Sequence, residues 1–314
     1  MGSEMCIRDS YRADAMAFAR ASKEQGLPAI ICATLPENMD LETRHLLIEK
    51  GVAPMQGIHE ALNAIRDSAD WNQARSRILS EKPEYLLPSY PSSEQKVMSE
   101  SDSKRWLKNN NFNVPNGKTV SPHKLGEAAS EVGYPVALKM ISPRLLHKTE
   151  AGAVVLDLKD EEELKLAVEK MRIDVTAYDA DAASELFLVE AMSPNPVAEL
   201  IVNLRKDSQF GAALVLGSGG VLVELMADTA TLLLPTSPAD IIRALKSLRV
   251  GRLLEGFRGR PAVDIPKVAE EIYKLCIAYQ HHEKTITEIE INPLFVHQAE
   301  VSAIDALIQV PVSK

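Results

Sequence analysis

The chain has 314 residues, with 35 Lys and Arg against 44 Asp and Glu, a formal charge of −9. That balance excludes nucleic acid as the main partner, because gripping a phosphate backbone needs a concentrated basic surface. With 46% hydrophobic and 25% charged residues, a disordered or collagen-like chain is excluded too. The length suits two or three domains, and no run approaches the ~20 apolar residues of a membrane span. The start lacks a charged region followed by an apolar one, so no secretory signal is expected. Three widely spaced cysteines, Cys6, Cys32 and Cys276, exclude a disulfide framework or a Cys-rich zinc site and suit a reducing cytoplasm.

Residues 1–10, MGSEMCIRDS, show neither helical nor strand periodicity. They are expected to be a non-native or disordered leader. Residues 11–70 then alternate helix and strand. Positions 13–23 are Ala-rich and helical, and 27–35, LPAIICATL, is a short apolar run of the kind that forms a buried strand. Positions 41–50 are amphipathic and end at Gly51, VAPMQG follows as a second strand, and Ile58, Ala61, Leu62 and Ile65 recur at helical spacing. This αβαβα order predicts part of a doubly wound parallel domain. Two strands are too few to close such a sheet, so a C-terminal portion of a larger domain is expected.

Residues 71–96, with Pro83, Pro88, Pro91 and the run SYPSSEQK, are expected to be a linker. The second domain spans 97–314. Its predicted elements are a helix at 101–111 anchored by Trp106 and Leu107, a helix at 122–132, and the strand VALKMI at 136–141 after a Gly-Tyr-Pro turn. Next come a polar loop, SPRLLHKTEAG, the strand AVVLDL and a helix at 161–172. ELFLVEAM and VAELIVNLRKD are strands, and FGAALVLGSGGVLVELM reads as two strands around a glycine loop. Helices are expected at 237–248 and 266–279, the latter with Val268, Ile272, Leu275, Cys276 and Tyr279 as its buried stripe. The end, ITEIEINPLFV-HQAE-VSAIDALIQV, predicts a hairpin with a polar turn.

Lys139 lies in an apolar strand, where it either reaches solvent or aims a cation at a phosphate. Glu290 and Asn292 are two apart and share one strand face. Asp305, on the return strand, can face Asn292 across the hairpin. Their oxygens suit magnesium, which binds a few side chains together with phosphates; a polar cross-strand pair is the plainer alternative. The glycine loop of Gly217, Ser218, Gly219 and Gly220 could turn backbone N–H groups to an anion, although an ordinary turn needs the same glycines. His147, beside Lys148, is either a solvated loop histidine or, near a nucleotide phosphate, one that could accept and pass on a phosphoryl group, with Glu150 or Glu288 to orient its ring. His281 and His282 end a helix, interact with its dipole, and are assigned no catalysis. No dinucleotide or P-loop fingerprint is present.

The order EVGYPVALK, SPRLLHKTEAGAV, LVEAM, VAELIVNLRKDSQFG, GSGGVLVEL, LLEGFRGRP, EIEINPL and AIDAL resembles the ATP-grasp domain of NDP-forming acyl-CoA synthetases, the succinyl-CoA-synthetase-like acetate–CoA ligases. Residues 11–70 resemble the end of the flavodoxin-like CoA-ligase domain that precedes ATP-grasp in fused members. The resemblance implies an α/β and α+β chain with an ATP-grasp fold, two lobes around a nucleotide cleft. It implies ATP or ADP with Mg2+, Lys139 on the phosphates, Glu190, Ala191 and Met192 against adenine through backbone groups, and Glu199 on the ribose or phosphate side. Asn292 and Asp305 match the magnesium ligands, with Glu290 nearby, and His147 matches the phosphoryl-accepting histidine. Asn203 and Ala153 stand where glycines are usual. The implied reaction is acyl-CoA + ADP + phosphate ⇌ acid + CoA + ATP. CoA-binding domains would be supplied in cis or in trans, by a longer protein or a partner in a homo- or hetero-oligomer. Two other readings are a sensing module of an acetyltransferase fusion and an ATP-grasp ligase joining a carboxylate to an amine. Intact His147, Asn292 and Asp305 weigh against the first, and the αβαβα segment weighs against the second.

Overall fold

The structure is a computed structural model that describes residues 2–35, 39–81, 95–145, 148–220, 228–259 and 261–312, with 2–10 and 81 described by backbone only. The chain forms two compact units, Met1–Pro83 and Glu84–Lys314.

The first unit runs α1 (Gly2–Gln25), β1 (Ala29–Ala33), α2 (Leu41–Glu49), β2 (Val52–Gln56) and α3 (Ile58–Glu81). β1 and β2 pair in parallel, as the αβαβα pattern predicts. Asp40 caps α2, its carboxylate accepting from the Thr43 N–H at 2.9 Å, which satisfies one of the free donors of the first turn. Residues 2–10 continue α1 as helix, because adding residues to an existing helix is far easier than starting one. One expectation is corrected here. Positions 71–81 are not linker: α3 continues to Glu81, since neither Gly nor Pro interrupts the chain between Gly57 and Pro83. Residues 82–94, the rest of the expected linker, lie outside the described residues.

The second unit opens with β3 (Gln95–Val97), whose Gln95 and Lys96 fall within the expected linker, and it pairs with the last strand of the chain. Then follow α4 (Glu100–Asn109), β4 (Gly117–Val120), α5 (Leu125–Val132), β5 (Val136–Met140), β6 (Val154–Leu158), α6 (Glu161–Tyr178) and β7 (Phe187–Ala191). The remaining elements are β8 (Ala198–Asp207), β9 (Gly211–Ser218), β10 (Thr229–Leu233), α7 (Pro238–Ser247), α8 (Gly251–Leu254), α9 (Ile265–His281), β11 (Glu288–Val296), β12 (Val301–Ala303) and β13 (Ala306–Pro311). A four-stranded antiparallel sheet, order β4-β7-β5-β6, forms one lobe. Its core includes Leu125, Leu138, Met140, Leu164, Met171 and Phe187, contributed by the sheet with α5 and α6. A seven-stranded sheet, order β10-β9-β8-β11-β13-β3 with β12 beside β11, forms the other. The stripe of α9 packs on it, with Ile272, Leu275, Cys276 and Tyr279 at most 1% exposed. The second strand expected within GSGGVLVELM falls on residues 221–227, outside the described set; the strand that pairs with β9 is β10.

β11 carries the site. Its burial alternates with Ile289 and Ile291 inward, then shifts phase so that Leu294 and Val296 are inward. The pairing register with β8 shifts at the same place, between Ile291 and Leu294, where Pro293 interrupts the ladder. Glu288, Glu290 and Asn292 therefore share the opposite face. Among the described residues no helix is long and apolar enough to cross a membrane.

Candidate nucleotide and metal site

Lys139 does not reach solvent. Every residue of β5 is buried, and Lys139 is only 4% exposed. Its ammonium donates to Glu100 Oε1 at 2.6 Å and to the Ile304 carbonyl at 2.9 Å, and pairs with Glu190 Oε2 at 3.1 Å. Glu100 begins α4, Glu190 is the penultimate residue of β7, and Ile304 lies between β12 and β13, so one side chain ties both sheets together.

Around it stands a cluster of six charges. Glu100 also pairs with Lys104 at 3.0 Å and Lys148 at 2.6 Å. Lys104 donates to both oxygens of Glu190 at 2.6 and 2.7 Å, and Lys148 to both oxygens of Asp305 at 3.1 Å. Three ammonium groups balance three carboxylates, the condition under which buried charges are tolerated. Burial alone would raise the Glu100 carboxyl; Lys139, Lys104 and Lys148 overcome it and hold the group well below the usual carboxylate range. Burial likewise opposes the Lys139 charge, but Glu100, Glu190 and Asp305 outweigh it and keep the ammonium protonated above the ordinary lysine range. Lys148 is raised in the same way by Asp305 and Glu100 against burial. Lys104, lowered by burial and by its neighbour Lys139, is the weakest cation of the three.

Asn292 and Asp305 face each other as the hairpin predicts: the Asn292 N–H donates to the Asp305 carbonyl at 3.2 Å. Asn292 Oδ1 accepts from the Gly220 N–H at 3.1 Å. Glu290, on the same face, has its carboxyl raised by burial and by Glu288 and Asp305, against the Asn203 amide that donates to it. Asn203 also donates to Glu288 at 2.7 Å, while its own buried Oδ1 has no partner. The donor set fits a hard divalent cation, since every candidate ligand is oxygen. Among the described residues no three His, Cys, Asp or Glu side chains converge to hold a metal unaided. Magnesium, which takes one or two carboxylates and completes its shell with water and phosphate, matches that incomplete set.

The other sequence-predicted residues divide. Glu190 points into the charge cluster, and the N–H groups of Ala191 and Met192 donate to the carbonyls of Asn116 and Pro135. Backbone recognition by this segment would thus use its remaining groups. Glu199 lies against the glycine loop, where a Cβ on Gly220 would overlap its carboxylate. The N–H groups of Ser218, Gly219 and Gly220 are taken by Asp228, Glu199 and Asn292, and a Cβ on Gly219 would overlap the Leu200 backbone. The loop's glycines thus serve close approach, and Gly217 continues the β9 ladder opposite Thr229; residues 221–227, which follow the loop, lie outside the described set. His147 lies outside the described residues. Of its suggested partners, Glu150 is exposed and Glu288 is held by Asn203 and Gln309.

Glu100, Lys104 and Lys148 escaped the sequence reading. A signal for two of them exists: Glu100, Lys104 and Leu107 fall at i, i+4 and i+7, so two charges occupy the buried stripe of α4.

A family profile described as an ATP-grasp domain matches residues 89–310. The beta subunit of acetate–CoA ligase [ADP-forming] II from Pyrococcus furiosus is 32% identical over 211 residues, covering 66% of this chain and 88% of that protein. The 4-hydroxybutyrate–CoA ligase [ADP-forming] of Nitrosopumilus maritimus is 32% identical over 170 residues, 54% of this chain and 24% of that longer protein. Among solved structures, acetyl-coenzyme A synthetase 1 of Ca. Korarchaeum cryptofilum, in complex with coenzyme A and Ca-AMPCP, superposes with a TM-score of 0.65 at 30% identity, covering 68% of this chain and 93% of that one. A second form of it holds coenzyme A and Mg-AMPPCP, with a TM-score of 0.59. The two sheets, the charged cleft between them and these similarities lead to one conclusion: the chain belongs to the ATP-grasp domain family, with the ADP-forming acetate–CoA ligases among its relatives.

Proposed function

We propose that the chain is the nucleotide-binding part of an ADP-forming acyl-CoA synthetase, acting in acyl-CoA + ADP + phosphate ⇌ carboxylic acid + CoA + ATP. The observation that supports this reading is the junction of the two sheets, where Lys139 reaches the Ile304 carbonyl, Lys148 reaches Asp305 and the Asn292 N–H reaches the Asp305 carbonyl. ATP or ADP would bind at that junction, and Asn292 and Asp305, with Glu290 beside them, would hold a magnesium ion that would supply charge neutralisation for phosphoryl transfer. Phosphoryl transfer depends mainly on positioning and charge neutralisation, which the paired lysines supply. Lys139 holds the two lobes at fixed spacing; Lys148, nearer the opening, meets the phosphates. His147 carries the phosphoryl group between the nucleotide and the acyl site, and Glu190 to Met192 and Glu199 line the base and sugar end. The relatives named as beta subunits support a partner bearing the CoA-binding domains, in trans or in cis, and the αβαβα unit is read as part of a flavodoxin-like CoA-ligase domain.

Labelled ATP with magnesium is expected to leave an acid-labile, base-stable phosphate on the chain that His147→Ala abolishes; label persisting in that variant would remove His147 from the role. Calorimetry is expected to show magnesium-dependent ATP binding weakened about tenfold by Asn292→Ala with Asp305→Asn, the loss of charge-assisted contacts. Unaltered affinity would overturn the assignment of the cleft.

A further inference from the structure

The lysines of the cluster are not equivalent. Lys104 and Lys139 are each at most 5% exposed and locked among Glu100 and Glu190. Lys148 stands at the rim: its side chain is 16% exposed, and its partner Asp305 is 37% exposed. Both oxygens of Asp305 accept from the one ammonium, at the same 3.1 Å. A divalent ion on that carboxylate needs one of those oxygens at about 2.0–2.1 Å. A divalent ion on one of those oxygens repels an ammonium spanning both at close range, so binding the ion favours moving the ammonium off that oxygen. Lys148 is not stranded if it leaves, because Glu100 Oε2 holds it from the other side at 2.6 Å.

We propose that Lys148 is the resident cation of Asp305, a built-in stand-in that keeps the carboxylate neutralised until a divalent ion replaces it. Exchange turns the ammonium away from Asp305 while Glu100 retains it at the phosphate end of the cleft. Metal loading and presentation of a phosphate-binding lysine are then one event. No covalent bond changes; one cation replaces another on a carboxylate. This inference rests on Asp305 as a metal ligand and goes beyond it by assigning the group the metal must displace. By linkage, whatever weakens the Lys148–Asp305 pair must strengthen metal binding by the same factor.

The test uses the full chain without nucleotide and Mn2+ as probe, read by electron paramagnetic resonance. Lys148→Met is expected to bind Mn2+ roughly fivefold or more tightly than the parent chain, the lower end of coupling between linked sites. Lys148→Arg, which keeps the charge, is expected to show no gain. Equal Mn2+ affinity in Lys148→Met and the parent, including no measurable binding in either, overturns the proposal. A second readout needs no variant: an amine-reactive reagent with peptide mass spectrometry should modify Lys148 faster when Mn2+ is added, against the exposed Lys170 as reference. Unchanged or slower modification while Mn2+ binds also overturns it. Asp305→Asn separates the two levels. If it leaves Mn2+ affinity unaltered, the metal-ligand reading fails; if it weakens binding while Lys148→Met changes nothing, only the exchange fails.

Discussion

The two compact units use the same vocabulary of short apolar runs with different results. In the second unit the runs become strands of four- and seven-stranded sheets, and side chains such as Leu138, Leu200, Leu204 and Leu214 are fully enclosed. In the first unit two parallel strands enclose little beyond Ala19, Met39, Leu47 and Val52, while Leu27, Leu41, Ile58, Leu62 and Trp71 are each more than half exposed. Parallel strands need both faces covered, and two strands with three helices cannot supply that. The charges differ in parallel. The second unit buries Glu100, Lys104, Lys139 and Glu190 in a balanced network that Lys148 and Asp305 complete at its rim, whereas in the first Arg12 meets Asp40 and Glu42 at 3.0 and 3.1 Å on the surface. An apolar run therefore reports a preference for burial, and the number of neighbouring strands decides whether the preference is met.

The largest expected effect tests the enclosed charges. Lys139→Met leaves Glu100 and Glu190 short of a cation and is expected to destabilise the second unit by about 3–5 kcal/mol, as breaking buried pairs does. Urea unfolding of the variant checks it; a loss under about 1 kcal/mol would place the cluster with surface ion pairs. Next come the apolar groups. Leu200→Ala, at a position 0% exposed, is expected to cost about 2–5 kcal/mol. Leu62→Ala, at a position 59% exposed, should stay within about 0.5 kcal/mol. Equal losses would erase the contrast between the units.

A smaller effect concerns the helix cap of the first unit. The N–H and hydroxyl of Thr43, ahead of the Arg12 guanidinium, hold the Asp40 carboxyl down at about 2. Because the folded value is depressed, its stabilisation is complete above the free carboxyl value of about 3.9. It is lost as the pH falls through about 2. Asp40→Ala should remove about 1 kcal/mol at neutral pH, and the Thr43 amide resonance should follow the acid titration. The smallest expectation is chemical. Cys32 is exposed and Cys276 buried, with burial pushing the Cys276 thiol up to about 12. Alkylation near neutral pH should take Cys32 in the native chain and Cys276 only after denaturation, because the thiolate is the reactive form.

Much of this architecture is legible in the sequence because it is local. The αβαβα order, the α9 stripe and the hairpin that sets Asn292 against Asp305 all follow from periodicity and turn chemistry read element by element along the chain. Lys139 stands out as a lone charge in VALKM. Its partners do not, because Glu100 lies 39 positions away, and Lys104 meets Glu190 across 86. Such pairings exist only once the two lobes are folded against each other. The end of α3 is illegible for another reason: Trp71 and its polar neighbours suggest a surface segment but contain nothing that stops a helix.

The phase shift at Pro293 has a consequence for how β11 tolerates change in length. Ahead of it the strand offers carboxylates to the cleft, and beyond it the inward positions fall to Leu294 and Val296. The extra residue is thus a spacer that leaves Leu294 and Val296 on the same inward face as Ile289 and Ile291. Deleting Pro293 would match Ile291 to Leu294 with Val202 to Leu200 one for one, a regular ladder with both apolar residues still inward. The hairpin core can therefore lose one residue there, whereas the carboxylate face around Asn292 cannot do so without being reset.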